Sequence, residues 1–162
     1  MDIVEINQEN AACVAELVAD FRVALKSYKG IDSKPNLEAG REELLEYIGA
    51  GFPCYAAVEG GEYIGYIVCR IDEPCVWVES IYTTPKSRRS GVASALLKKA
   101  EVLADARGED TVFNWVHPNN QGMISFLRRH GYTVLNLIEI RKPFKGEHPT
   151  QTIRVGNNEF DY

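Results

Sequence analysis

One run of the chain combines small residues, basic residues and a change of direction in the way a phosphate-binding loop requires. Pro85-Lys86-Ser87-Arg88-Arg89-Ser90-Gly91-Val92-Ala93 joins the end of an apolar strand to a helix that begins at about Ser90. A helix start exposes backbone N–H groups that lack intrahelical acceptors, and it carries the positive end of the helix dipole. Gly91 and Ala93 are small enough to let a phosphate approach that backbone, and Arg88 and Arg89 add positive charge. Such a loop can cradle a pyrophosphate. The same residues also describe a solvated, basic, well-capped helix start. On residue type alone both readings stand.

The elements around this loop follow from periodicity. Residues 3–6 read as a short opening strand. Val14, Leu17, Val18, Phe21 and Leu25 form one apolar stripe on a helix of about five turns. Gly30 and Pro35 break the pattern, and Leu37, Leu44, Leu45 and Ile48 form a second, weaker stripe that Gly49 and Gly51 stop. The period then shortens. Residues 54–58, 63–71 and 75–83 read as three strands of a meander, turned at Gly60-Gly61 and at Asp72-Glu73-Pro74. Val92, Ala95, Leu96, Ala100 and Leu103 define a third helix, with Gly108 at its C-terminal cap position. Strands are expected at 111–116 and 133–140, with a fourth helix between them carrying Met123, Phe126 and Leu127. A small hairpin turning at Gly156-Asn157-Asn158 completes the pattern. The order implies a mixed sheet with helices on its faces.

Arg88-x-x-Gly91-x-Ala93 resembles the (Gln/Arg)-x-x-Gly-x-(Gly/Ala) signature of the GNAT superfamily of N-acetyltransferases. Ile81-Tyr82-Thr83-Thr84-Pro85 resembles the strand-ending stretch that precedes that signature in the family. Asn120 to Tyr132 resembles the Asn-bearing loop, helix and Gly-aromatic ending of the next family block. The resemblance implies an α/β (α+β) fold built on a mixed, mostly antiparallel central sheet of about six to seven strands, with helices on both faces. It implies one domain over 1–162, and acetyl transfer from acetyl-coenzyme A to a primary amine of a small molecule or a peptide by direct attack on the thioester. The alternative is a non-catalytic acetyl-CoA-binding protein of the same fold.

The resemblance also carries site residues. The strand holding Ile81, Tyr82 and Thr83 is expected to splay from its neighbour and offer backbone groups to the pantetheine arm. An N–H there would polarise the thioester carbonyl. The amides of Arg89, Ser90, Gly91, Val92, Ala93 and Ser94, beside Arg88, are expected to hold the pyrophosphate, and Asn120 to contact the cofactor arm. Glu79 sits where many relatives place a carboxylate that deprotonates the amine. Strand alternation would put it on one face with Ile81 and Thr83, although an exposed strand residue or an ion-pair partner has the same signature. The position that often holds a Tyr acid is Leu127 here, so the general acid is unassigned; Tyr82 and Tyr132 are candidates. Phe113 and Trp115 are expected as core or cleft lining, and His117, His130 and His148 as loop or helix-end residues.

Composition narrows the field. The net charge is -5 and the pI about 5.3, which argues against a broad nucleic-acid surface, so Lys86, Arg88 and Arg89 are a poor candidate for one. No secretory signal or apolar membrane span is read, and a cytoplasmic protein without a metal is expected. Cys13, Cys54, Cys69 and Cys75 contain no metal-type spacing and are expected as buried free thiols. Acceptor choice is assigned to the first two helices and the loop at 142–149. A homodimer is compatible with the sequence and not required by it.

Overall fold

The computed structural model describes residues 1–162, which fall into two compact units, 1–126 and 127–162. The first opens with β1 (Asp2–Glu5), α1 (Ala11–Ser27) and α2 (Leu37–Gly49). The meander β2 (Cys54–Glu59), β3 (Glu62–Asp72) and β4 (Cys75–Thr83) follows, then α3 (Val92–Asp105) and β5 (Phe113–Asn114). The strands lie in sequence order, β1 through β4 antiparallel and β5 parallel to β4. α4 (Gln121–Arg129) crosses from one unit to the other, and the second unit contains the hairpin β6 (Thr152–Val155) and β7 (Asn158–Asp161). No helix is long and apolar enough to cross a membrane.

Helix packing divides the central sheet into two faces. The stripe read on α1 is buried: Val14, Leu17 and Val18 meet Leu44 of α2, Cys54 and Ala56 of β2, and Tyr66 and Val68 of β3. Gly40 makes this packing possible, because a Cβ there would lie 2.5 Å from the Ala15 carbonyl oxygen. A half-buried network also ties the two helices. Arg22 forks onto Glu43, with Nε donating to Oε2 at 2.6 Å, and the Tyr47 hydroxyl donates to Glu43 Oε1 at 2.9 Å. Asn36 caps α2 by accepting from the Ala39 amide at 3.0 Å. α3 covers the opposite face with Val92, Leu96, Leu97, Ala100 and Ala104, all buried. There Gly65 is the close-approach residue. A Cβ on it would lie 2.8 Å from the Tyr82 carbonyl oxygen and 2.9 Å from Val92 Cγ1.

The expected fold class is present, with a smaller central sheet. It has five strands, and the terminal hairpin forms a separate two-stranded sheet. Residues 133–140 form no strand, against the sequence expectation, and Val134, Leu135, Leu137 and Ile140 are exposed. Their apolar side chains fall on both parities of the run, so a strand there would present no single face for burial. β5 is likewise shorter than the expected 111–116. The other expected helices, the meander and the hairpin match within a few residues.

Candidate active site

β4 is where the sheet stops being a sheet. Its pairing with β5 consists of Trp77 opposite Phe113 and Val78 opposite Asn114. β4 then continues to Thr83, so from Glu79 onward its outer edge has no strand partner. Ile81, Tyr82 and Thr83 therefore lie along an edge without a strand partner, because β5 ends at Asn114.

A bulge marks the same point on the inner edge. Val78 faces Cys69 and Ser80 faces Val68, so Glu79 is the extra residue with no partner of its own. The bulge changes which side each residue faces, and this corrects the simple alternation read from sequence. Thr83 and Ile81 pair with Gly65 and Ile67, on the face covered by α3. Glu79 instead ion-pairs with Arg70, whose strand neighbours Val68 and Tyr66 belong to the α1–α2 face. The candidate base and the side chains of Ile81 and Thr83 thus lie on opposite faces of one strand, while their backbones share the open edge.

Glu79 Oε2 is 3.4 Å from Arg70 Nε. The Arg70 guanidinium lies over Trp77 and Trp115, 5.4 and 5.0 Å from the ring centroids, and Trp77 stacks on Phe113 at 4.8 Å. Trp115 is 59% exposed, so it lines the surface rather than the core. Beyond Glu79, Ser80 Oγ and Tyr66 Oη are both buried. They approach each other without meeting hydrogen-bond geometry.

The basic loop follows the open strand. Pro85–Ser87 forms a 3-10 turn, Arg89 and Gly91 adopt positive φ of 63° and 88°, and α3 starts at Val92. Ser90 Oγ donates to the Ser87 carbonyl at 2.6 Å, and Arg88 Nε donates to the Thr83 carbonyl at 3.4 Å. Positive φ at Gly91 turns the chain so that the first amides of α3, from Val92 and Ala93, face the loop. A Cβ added at Gly91 would meet nothing within 4 Å, so the space in front of the helix start is open. Thr83 Oγ1 and Thr84 Oγ1 are buried beside it without a partner. Open space, a helix start and two cationic side chains fit a pyrophosphate group.

Other candidates separate clearly. Asn120 Oδ1 accepts from the Met123 amide at 3.0 Å and so caps α4, which leaves its amide nitrogen for any ligand. His117 stacks on Tyr28, and Asn119 Nδ2 donates to the Tyr28 carbonyl at 3.0 Å, pinning this loop to the end of α1. Burial and the neighbouring Lys29 hold the His117 pKa below its ordinary value. The Tyr82 ring meets Phe21 edge-on at 6.5 Å, and burial together with Asp20 raises its phenol pKa while Arg88 lowers it. It points into the α1 side rather than along the open edge. Leu127 is buried, and His130 and His148 are exposed.

All four cysteines are free, but they are not all buried: Cys54 and Cys69 are, Cys75 is half-buried and Cys13 is exposed. Burial pushes the Cys54 and Cys69 thiols up to about 12. Cys69 lies opposite Val78 and Cys75 opposite Asp72, so the two do not face each other across the hairpin. Open recesses of about 220 and 350 Å³ lie against α1, and neither is lined by Glu79 or Arg88.

Comparison with known proteins identifies the family of the chain. Residues 18–132 match the family model for the GNAT acetyltransferase family, and the chain belongs to that family. It is 30% identical over 117 residues to the mycothiol acetyltransferase of Geodermatophilus obscurus, covering 72% of this chain and 34% of that protein. The chain spans about a third of the length of the curated relatives it matches. Among solved structures it resembles the ribosomal-protein-alanine N-acetyltransferase of Brucella melitensis biovar Abortus. The TM-score is 0.68 at 15% identity, covering 89% of this chain and 100% of that one. An aminoglycoside N-acetyltransferase in complex with CoA gives 0.68 at 18% identity, covering 87% and 93%. At these identities the likeness is one of fold.

Proposed function

We propose that the chain is a cytoplasmic acetyl-CoA-dependent N-acetyltransferase, acting as one domain over 1–162, that acetylates a primary amine of a small molecule or a peptide. The observation that carries this reading is the fork after Val78. There the strand bearing Glu79 loses its outer partner and runs directly into the open helix start at Gly91. Family membership, and a similar fold that holds CoA in a relative, support the same cofactor.

When bound, acetyl-CoA supplies a thioester carbonyl for attack and a thiol of pKa about 8.5 as leaving group. The chain does the rest. Amides of residues 89–94, with Arg88 and Arg89, hold the pyrophosphate. The unpaired edge at Ile81 and Thr83 receives the extended arm as an added strand would be received, and one of its N–H groups stabilises the developing oxyanion. An alkylamine of pKa about 10 arrives mostly protonated at neutral pH, so its proton must be removed before attack. Glu79, the bulged residue at the fork, takes it directly or through water, and the second proton, which the nitrogen sheds once it has bonded to the carbonyl carbon, passes to solvent. No side chain at Leu127 can return a proton to sulfur, and a leaving thiol of this acidity departs as thiolate.

The test is turnover against an amine panel by the intact protein and by Glu79→Gln. Loss of kcat by roughly 100- to 10,000-fold, with acetyl-CoA affinity retained, is the expected result. Acetyl-CoA binding without turnover of any amine would replace the enzyme reading with the non-catalytic one.

A further inference from the structure

We infer that Arg70 is the positioning residue of this site: seated against the Trp77–Trp115 pair, it holds Glu79 at the mouth of the β4–β5 fork. This rests on the reading of Glu79 as the base. The argument begins with a difficulty. Glu79 is the extra residue of a bulge, with no cross-strand partner to fix its direction, and the strand on its other side has ended. A carboxylate on such a backbone has several rotamers available, whereas a general base must sit within hydrogen-bond reach of one proton.

Arg70 restricts that freedom as an ion-pair partner whose buried Nε faces the carboxylate without completing a hydrogen bond. It sits on β3 directly opposite Trp77, the first residue paired with β5, and its Nε lies 3.4 Å from Glu79 Oε2. Its guanidinium rests against a pair of touching indoles, Trp77 of β4 and Trp115, one residue past β5, whose centroids lie 5.0 Å apart and 5.4 and 5.0 Å from it. Trp77 is in turn fixed by its stack on Phe113 and its contact with Trp115 at 5.0 Å. The cluster therefore touches both arms of the fork at the level where they part. Asp72 is the other carboxylate near Arg70, at 3.9 Å, and it is largely exposed, so Glu79 is the closer and better shielded partner. A planar guanidinium suits this place because it can stack on indoles while its edge faces a carboxylate; an ammonium cannot do both.

The protein contains two tryptophans, and both belong to this cluster. Intrinsic fluorescence therefore reports on it directly. The experiment compares Arg70→Met, Arg70→Lys and Trp115→Leu, each alone and combined with Glu79→Gln, by steady-state kinetics, acetyl-CoA titration and tryptophan emission. Arg70→Met is expected to shift the emission and lower kcat by roughly ten- to a hundred-fold with acetyl-CoA affinity unchanged. Arg70→Lys should recover part of the rate, and Trp115→Leu, at an exposed side chain, should give a smaller loss in a folded protein. In the Glu79→Gln background none of these changes should lower kcat further, because their effect passes through Glu79. Wild-type kcat in Arg70→Met or Trp115→Leu, or losses that multiply with that of Glu79→Gln, would overturn the inference while leaving the base in place. Wild-type turnover by Glu79→Gln itself would overturn the base assignment and the inference together.

Discussion

The two halves of β4 have similar residue types and opposite surroundings. From Cys75 to Val78 the strand has β3 on one edge and β5 on the other by its end, and Val76 and Val78 are buried. From Glu79 to Thr83 it keeps β3 and loses its outer neighbour. The first half is held by its pairing on both sides. The second is held by one edge and by what packs on its faces, and so can offer backbone groups to a ligand. On the proposed reading the chemistry sits where a strand outlives its partner, and the bulge at Glu79 falls at that transition.

The sharpest way to break the comparison is to disturb the open half from behind. Gly65 faces Thr83, and the close approach of Tyr82 and Val92 leaves no room for a side chain. Gly65→Val should cost about 1–3 kcal/mol of stability through overpacking and should weaken acetyl-CoA binding by shifting the start of α3. Thermal melts and cofactor titration would read both effects. A fully stable variant with normal affinity would mean that the open half does not depend on this contact.

A gentler test measures the two halves in the unmodified protein. Amide hydrogen exchange should be slower across Val76–Val78 than across Ile81–Thr83, and acetyl-CoA should slow the second group selectively. Equal protection in both halves, or slowing in the first alone, would remove the distinction. The smallest expected effect concerns the neighbouring loop. Because burial and Lys29 depress the folded His117 pKa, the unfolded chain takes up this proton first as pH falls. Stability should therefore decline as pH drops through about 6.5 and level off below the folded pKa. His117→Gln should lose that dependence, as denaturant titrations at several pH values would show.

Much of this was legible in the sequence, for identifiable reasons. The stripes on α1 and α3 have strict helical spacing, and the Gly91 loop could be read through its resemblance to a family signature, since residue type alone also describes a solvated, capped helix start. Glu79 was found through a resemblance, but its face was misread. A bulge leaves no trace in apolar alternation when the flanking residues Val78 and Ser80 are both buried. Arg70 was missed altogether. It lies in an apolar run on a different strand, and only the register of β3 against β4 brings it to Glu79. Gly65 was equally silent, since the atoms that exclude a Cβ come from Tyr82, Val92 and Leu96, distant in sequence. The failed strand at 133–140 shows the converse: an apolar run of the right length does not define an inner face.

The central claim is that acetyl-CoA binds at the helix start following the open half of β4. Its most direct test is calorimetric titration of acetyl-CoA into the intact protein, Gly91→Ala and Gly91→Glu. The alanine variant carries the backbone cost of a side chain at φ 88° in open space, and the glutamate variant adds a negative charge to the same cost. The account predicts saturable binding by the intact protein, modest weakening in Gly91→Ala and loss in Gly91→Glu. Equal binding by the two variants would contradict a pyrophosphate at this loop, and a folded intact protein that does not bind acetyl-CoA would contradict the cofactor itself.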